Sequence, residues 1–594
     1  MAPPFNFNNP LGVETITSVV NAPEQTFSQY KAAQTSLPGP FSSGRIYKQK
    51  YNELFHDVEL YLDNSGDFVA NDNTKRYFIN PSAVMNLTIS DTVNDWIVDG
   101  TITIMYLPED ADPRQLKTLG TDSKTRTGAE ENAETLKSYQ FRTDGFDLLR
   151  VMVVPKTDYK SGVQIPENEP LWYLSYLFSI YNVEDVTGKV PGMDGNLSSY
   201  MKCVKMYFRD VRYQILKTSN IEYSTALSPN AIVDSTLANG DNGTGIGRVL
   251  YTGDAIKEVF QQAFSVALDN KGSDKLALFG TGFDWDQGAG KLFYTSPANW
   301  NADDDIQYLF SHHVSSAKKL STGANDLCLM HTNRATTKGH LEPICITPVS
   351  DFFEKAGKDP ESPGVLQLEH FFVTNLTKEN APTRNFRAPL TSDINSKRDL
   401  KTAKYGQILN YNFVDMSADI NSSLFKSTPV YSVDIGKRTF NMEFKNNNVE
   451  TARTAIANTY IKELYKKGSG ESLFLPIIHK SKKNVNVFPT FSLNGDNEIV
   501  RQRNGILDLI YTGLFQNACI CFKTFGLTLR QSGTFIGIDR ADGCENTDFS
   551  NKLYGQWFVV KVDHVFEAGA YMNIIYAVKI HRHEKANAAF GEML

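Results

Sequence analysis

Six cysteines in 594 residues, scattered as Cys203, Cys328, Cys345, Cys519, Cys521 and Cys544, are too few and too irregular for a disulfide framework. They read as buried thiols of a protein made in a reducing compartment. Cys519 and Cys521 form C-x-C with no second pair downstream, which argues against a zinc ribbon. No apolar run approaches the ~18 residues of a membrane helix. The opening MAPPFNFNNPLG has neither the basic stretch nor the apolar core of a signal peptide. Excess positive charge is missing too. A net charge of −7 speaks against tight non-specific binding of nucleic acid. Catalytic signatures are equally scarce. The phosphate-loop pattern G-x-x-x-x-G-K-[ST] does not occur. His583-Glu584 begins like H-E-x-x-H, but residue 587 is Asn, which excludes a zinc peptidase at that position. GSG within KKGSGES is not a nucleophile elbow, and the nearby HKSKK reads as a solvated turn.

What is present is an ordinary packing composition: 41% hydrophobic and 21% charged residues, far from a disordered chain. Aromatics reach 12%, with 37 Phe and 27 Tyr, which suits strands and broad apolar contacts. The length implies several domains. Residues 1–40, with APPF, NAPE and LPGP, read as an extended N-terminal arm. Residues 41–235 carry strand-like alternation. In TITIMYL, Ile102, Ile104 and Tyr106 oppose Thr101, Thr103 and Met105; in KCVKMYFRD, Val204, Met206 and Phe208 oppose Lys205, Tyr207 and Arg209. Between these runs, the polar DPRQLKTLGTDSKTRTGAEENAETLK is expected to be a long exposed loop, partly helical at most.

Residues 236–375 are mixed α/β. A strand-like run, Arg248 to Tyr251, precedes a helix marked by Ile256, Val259, Phe260, Ala263, Phe264 and Ala267. Residues 376–480 read as a connector or insertion holding the strand RTFNMEF and a helix over VETARTAIANTYIKELYKK. Residues 481–594 return to strands, with EAGAY as a hairpin turn. In the last strand Met572, Ile574, Tyr576, Val578 and Ile580 share one face. Asn573, Lys579, His581 and His583 lie on the other. The fold class is therefore α+β, mainly β: two antiparallel β-rich regions around a mixed α/β middle.

Four groupings invite a functional reading. Glu130-Glu131 would need a cleft to act as an acid–base pair, and its polar surroundings favour a solvated face. Gly243, Gly245 and Gly247 lack the preceding strand of a dinucleotide fingerprint. His581 and His583 share a face, but two ligands seldom hold a metal. The stretch NADDDIQYLFSHHVSS sets three aspartates before two histidines. Ile306, Leu309, Phe310 and His313 fall on one helical stripe, so Asp303 and its neighbours suit the first turn and His312-His313 the far end. Asp303 and His312 would stand about 13 Å apart along the axis, and adjacent histidines diverge by about 100°. No residue is singled out as catalytic, cofactor-binding or metal-ligating.

Several longer words carry a resemblance: FRTDGFDLLRVMVVPK, LWYLSYLFSIYNVEDV, MKCVKMYFRDVRYQILKTSNIEYSTA, FDWDQGAGKLFYTSPANWNADDDIQYLFSHHVS and GQWFVVKVDHVFEAGAYMNIIYAVKI. In order and texture they resemble the baseplate hub proteins of contractile-tailed bacteriophages. The resemblance implies a structural protein without enzymatic activity or cofactor. Its 41–235 and 481–594 regions would be tail-tube-like antiparallel β-domains of barrel or sandwich type, and 236–375 would sit outside a ring. Three chains would present a nearly sixfold surface joining the tail tube to the central spike. The implied partners are two further copies of the chain, the central spike protein, the tail tube protein or its initiator, and baseplate wedge proteins. Genomic DNA would pass through the lumen without specific binding. The implied location is the virion's tail baseplate, assembled in the host cytoplasm. A virion-associated cell-wall hydrolase and a tail receptor-binding protein are the competing readings. The first needs a carboxylate or Cys–His pair in one cleft; the second needs fibrous repeats or a trimeric stalk.

Overall fold

The structure, a computed structural model, describes most of residues 45–108, 123–156, 173–187, 201–233, 248–267, 285–316, 328–332, 343–352, 369–372, 404–415, 430–443, 488–492, 518–539 and 553–579. An N-terminal strand group comprises β1 (Tyr47–Tyr51), β2 (Leu54–Asp63), β3 (Arg76–Phe78), β4 (Val84–Thr92), β5 (Asp95–Tyr106), β6 (Asp147–Lys156), β7 (Leu174–Asp185) and β8 (Lys202–Asp210). Helix α1 (Ser123–Ser138) stands between β5 and β6. A middle region follows: α2 (Val211–Thr218), β9 (Ile232–Val233), β10 (Arg248–Tyr251), α3 (Thr252–Ala267), β11 (Lys291–Leu292), α4 (Ala302–Ser311), β12 (Cys328–Thr332) and β13 (Ile344–Pro348). The remaining strands are β14 (Glu369–Phe372), β15 (Asn410–Asp415), β16 (Val430–Asp434), β17 (Thr439–Glu443), β18 (Phe488–Ser492), β19 (Ala518–Phe525), β20 (Phe535–Asp539), β21 (Gly555–Glu567) and β22 (Ala570–Lys579).

The described residues are mainly β, as expected. Fourteen strands form one sheet, in the order β1-β2-β6-β7-β8-β5-β4-β21-β22-β19-β15, with β3 on β2 and the β14–β20 pair attached to β21. Every pairing along this path is antiparallel, while β14 and β20 run parallel. Strand β6, DLLRVMVVPK, is buried along all but its last residue. A strand covered on both faces cannot alternate, so its sequence is a near-continuous apolar run broken by Arg150. Arg150 stays paired: its guanidinium donates to Ser175 Oγ at 2.9 Å and to the Tyr176 carbonyl at 3.3 Å.

The loop expected between β5 and β6 is corrected over residues 123–138, which form a full helix. Helix α1 has no apolar stripe because it docks through small and polar side chains: Gly128, Ala129 and Asn132 are its buried residues. A Cβ on Gly128 would stand 2.2 Å from Ser82 Oγ, so only glycine permits that approach. Asn132 Oδ1 accepts the Asn80 N–H at 2.7 Å, and its amide donates to the Asn80 and Met105 carbonyls.

Helix α3 behaves as its sequence requires. Ile256, Val259, Phe260, Ala263 and Phe264 are all buried, and the same core takes in Trp96, Leu148 and Leu177 from the large sheet. Phe260 meets Trp96 edge-on at 5.6 Å between ring centres. The middle helices are thereby seated on the N-terminal strands. The helix expected over VETARTAIANTYIKELYKK lies outside the described residues, as does the 1–40 arm.

Candidate functional site

The place where the two ends of the chain meet is the joint between β4 and β21. Asn86 to Thr92 pair antiparallel with Glu567 to Lys561. Strand β21 has two halves. Its first half pairs with β20, Phe558 opposite Phe535, and its second half pairs with β4. The change of neighbour falls at a register shift between Val559 and Lys561. The extra residue, Val560, is buried, and its carbonyl accepts the Val93 N–H at 2.9 Å. A bulge of this kind bends and twists a strand, which lets one strand serve two neighbours.

Side chains lock the register on both faces. Ser90 Oγ donates to Asp563 Oδ1 at 2.6 Å, and Asn86 Nδ2 donates to Glu567 Oε1 at 3.1 Å. On the alternate position, the Asp91 carboxylate accepts the Ser532 N–H at 2.9 Å and its hydroxyl at 3.0 Å. The β1–β2 turn also grips the β21–β22 hairpin. Asn52, at a φ of 53°, donates its N–H to the Gly569 carbonyl at 3.0 Å and its amide to the Tyr571 carbonyl at 2.7 Å. Tyr51, Phe566 and Tyr571 pack above this contact, the last two stacked at 4.1 Å. His56 stands edge-on to Tyr571. Desolvation, partly opposed by the Leu54 carbonyl, lowers its imidazole to about 4, so it is neutral at pH 7.

Behind Tyr571 lies a buried polar network. The Arg530 guanidinium bonds both oxygens of Glu369 at 2.8 and 3.3 Å and reaches the Tyr405 carbonyl at 2.8 Å. Asn573 Oδ1 accepts from Arg530 at 3.0 Å and from the Leu527 N–H at 2.7 Å. His564 joins Tyr571 Oη at 2.6 Å and the Arg530 carbonyl at 3.0 Å. Burial pushes the Glu369 carboxyl up and the Arg530 guanidinium down. The two-pronged contact opposes both shifts by favouring the charged forms. This joint can hold two strand groups in a fixed register; its chemistry is cohesive.

No protein-family model matches the chain, and no curated protein matches it. Solved structures do. The chain is similar to a tail protein of prophage MuSo2 from Shewanella oneidensis, at 7% identity and a TM-score of 0.38, over 89% of this chain and 100% of that one. A tail protein from Neisseria meningitidis MC58 is similar at 7% identity and a TM-score of 0.39, over 88% and 96%. A chain of the lidded PdpA-VgrG complex from Francisella is similar at 8% identity and a TM-score of 0.38, over 89% and 53%.

The residues weighed in the sequence fall as follows. Glu131 lies on α1 and is engaged: its carboxylate accepts from Arg45 and Tyr47 and from the Asn80 amide at 3.2 Å. Glu130 lines an open groove of about 850 Å³ beside Tyr106, Glu134 and Phe141. The three aspartates do begin a helix. Asn301 caps α4 in a reciprocal box with Asp304, at 3.0 and 3.2 Å. Asp303 pairs with Lys217 at 2.8 Å, and Asp305 accepts from Ser296 and Tyr294. His312 caps the far end. His313 lies just beyond it, buried, and its Nδ1 is 3.0 Å from Thr252 Oγ1.

Gly243, Gly245, Gly247, Cys544, His581 and His583 lie outside the described residues. Burial raises Cys203 to about 11 and Cys519 and Cys521 to about 12, which keeps these thiols protonated. On β22 the fully buried face is Tyr571, Asn573, Ile575 and Ala577, while Met572, Ile574 and Tyr576 are half-buried. The face bearing Asn573 is thus the inner one, because Arg530 and Leu527 occupy the amide. Sequence reasoning missed Glu369, Arg530 and His564. Each lies inside a strand or turn with no motif around it, and a partner 161 residues away leaves no local signal.

Proposed function

We propose that the chain is a structural hub of a bacteriophage tail baseplate, three copies of which form a ring between the tail tube and the central spike. The observation that carries this reading is the β4–β21 joint. It makes one sheet from strand groups at opposite ends of the chain, so each copy offers two strand groups held side by side. Three copies would then offer six, the number a sixfold tube needs from a threefold base. The word-level resemblance to hub proteins points the same way. The polar register bonds across the joint suit a permanent assembly element, because they fix one alignment of the two groups.

On this reading the spike protein, the tube protein or its initiator, and the wedge proteins are the partners. DNA passes without specific contact, and assembly occurs in the host cytoplasm before the ring enters the virion. No enzymatic step is assigned to it. Native mass measurement of the full chain, alone and with the spike protein, tests the proposal. A trimer, or a three-chain complex on the spike, is the expected result. A chain that stays monomeric and joins neither spike nor tube would end the reading.

A further inference from the structure

Asp286, His313 and Cys328 come from three separate segments of the middle region, yet their potential ligand atoms lie within 4.8 Å of one another. Asp286 follows Trp285 in a stretch tied to β13, its N–H bonding the Ile346 carbonyl. His313 follows α4, and Cys328 opens β12. All three are enclosed: the imidazole and carboxylate side chains are 0% and 2% exposed, and Cys328 is 8% exposed.

His313 supplies the second observation. Its Nδ1 meets Thr252 Oγ1 at 3.0 Å, while its Nε2 is buried with no hydrogen-bond partner. Nε2 faces Asp286 Oδ1 at 3.9 Å, too far for a hydrogen bond. An enclosed imidazole nitrogen without a partner costs free energy unless something occupies its lone pair. If Nδ1–H donates to Thr252, that lone pair points at the carboxylate. Metal-bound histidines show this arrangement, the outer nitrogen held by an oxygen. The carboxylate is oriented as well. Asp286 accepts the Gly288 N–H at 2.8 Å, the Ser316 N–H at 2.7 Å and the Ser315 hydroxyl. Gly288, at φ +82°, leaves room behind the ring: a Cβ there would stand 2.9 Å from His313 Nδ1.

We propose that Asp286, His313 and Cys328 bind a zinc-type divalent transition-metal ion that clips these three segments together. One thiolate, one imidazole and one carboxylate suit zinc and not calcium or magnesium, which take oxygen ligands. Zinc bonds of ~2.0–2.3 Å set ligand atoms ~3.3–3.8 Å apart, so a contraction of at most about 1.5 Å closes the site. On binding, the Cys328 thiol passes its proton to solvent. The fourth tetrahedral position falls to a solvent oxygen. This ion would be structural, and it is independent of whether the chain forms a ring.

Cobalt titration of the full-length chain tests the site. One equivalent of Co²⁺ should give a thiolate-to-cobalt charge-transfer band with intense tetrahedral visible bands, displaced by one equivalent of Zn²⁺. Cys328→Ser should abolish the charge-transfer band and weaken zinc binding at least tenfold. Thr252→Val keeps all three ligands and should retain the band while weakening zinc binding about tenfold. A wild-type chain without the band, or a band unchanged in Cys328→Ser, would overturn the proposal. Should Cys328→Ser not fold, unchanged zinc affinity in Thr252→Val would overturn it equally.

Discussion

Two buried ion pairs set the halves of the large sheet apart. In the N-terminal group Asp210 and Arg212 meet at 2.6 Å, two residues apart, where Asp210 also caps α2 through the Arg212 N–H. In the C-terminal group Glu369 and Arg530 meet at 2.8 Å across 161 residues. The first pair forms as soon as its own turn does. The second ties β14 to the turn between β19 and β20. Strand pairing shows the contrast only in part. β4 pairs with β5, and β6 with β7, while β14 and β15 reach β20 and β19 from more than a hundred residues away. Both groups hold long-range pairings, β2 with β6 and β5 with β8 in the first, but among the described residues the C-terminal group closes its own around a buried polar centre, the Glu369–Arg530 pair.

Breaking that centre should show the contrast most strongly. Glu369→Ala leaves a buried guanidinium without its counter-charge, at a cost of about 3–5 kcal/mol. The expected result is a lower unfolding midpoint, with hydrogen exchange accelerating in β19–β22 while β6 and β7 keep their protection. Uniform acceleration through both groups would show that they unfold as one unit.

A smaller effect comes from His56, on the N-terminal side of the Tyr571 contact. Its folded value is about 4 against an ordinary 6.5. Between those values the unfolded chain binds the proton and the folded chain does not, so stability rises with pH through that window. It is fully present above about 6.5, falls as pH drops, and levels off below about 4. The full span corresponds to about 3 kcal/mol. Denaturant melts across pH 4–7 should show this slope, and His56→Phe should flatten it.

The smallest effect tests the joint itself. Ser90→Ala removes the hydroxyl that meets Asp563 and should cost about 1 kcal/mol. The loss should appear as faster exchange at β4 and the second half of β21, with β20 unaffected. Loss confined to β20 would mean that the halves of β21 do not act separately.

Legibility in the sequence follows the same division. Helix α3 was readable because Ile256, Val259, Phe260, Ala263 and Phe264 share one buried stripe, and the β21–β22 hairpin because Gly569, at φ 87°, marks its turn. The opening turn of α4 was readable from its aspartates. Helix α1 was not, because it is held by Gly128, Ala129 and Asn132, none of which makes an apolar stripe. The inner face of β22 was hidden for a related reason: Asn573 is buried only because Arg530 waits for it. The stripe read from the sequence runs on to His313, but α4 ends at Ser311 and His313 is buried beyond it. Its nearness to Asp286 and Cys328 was not legible, since they lie on other segments, 27 and 15 residues away in the chain.

The pairing of β4 with β21 has a consequence for the newborn chain. Residues 90 and 563 are 473 positions apart. At a synthesis rate of about 5–20 residues per second, roughly 25–95 seconds separate their emergence from the ribosome. Throughout that interval the backbone of β4 lacks its eventual mate, and an uncovered strand rim invites any other nascent copy to pair with it. Nascent copies are therefore exposed to pairing along this rim, and a chaperone that shields it should raise the yield of assembled protein.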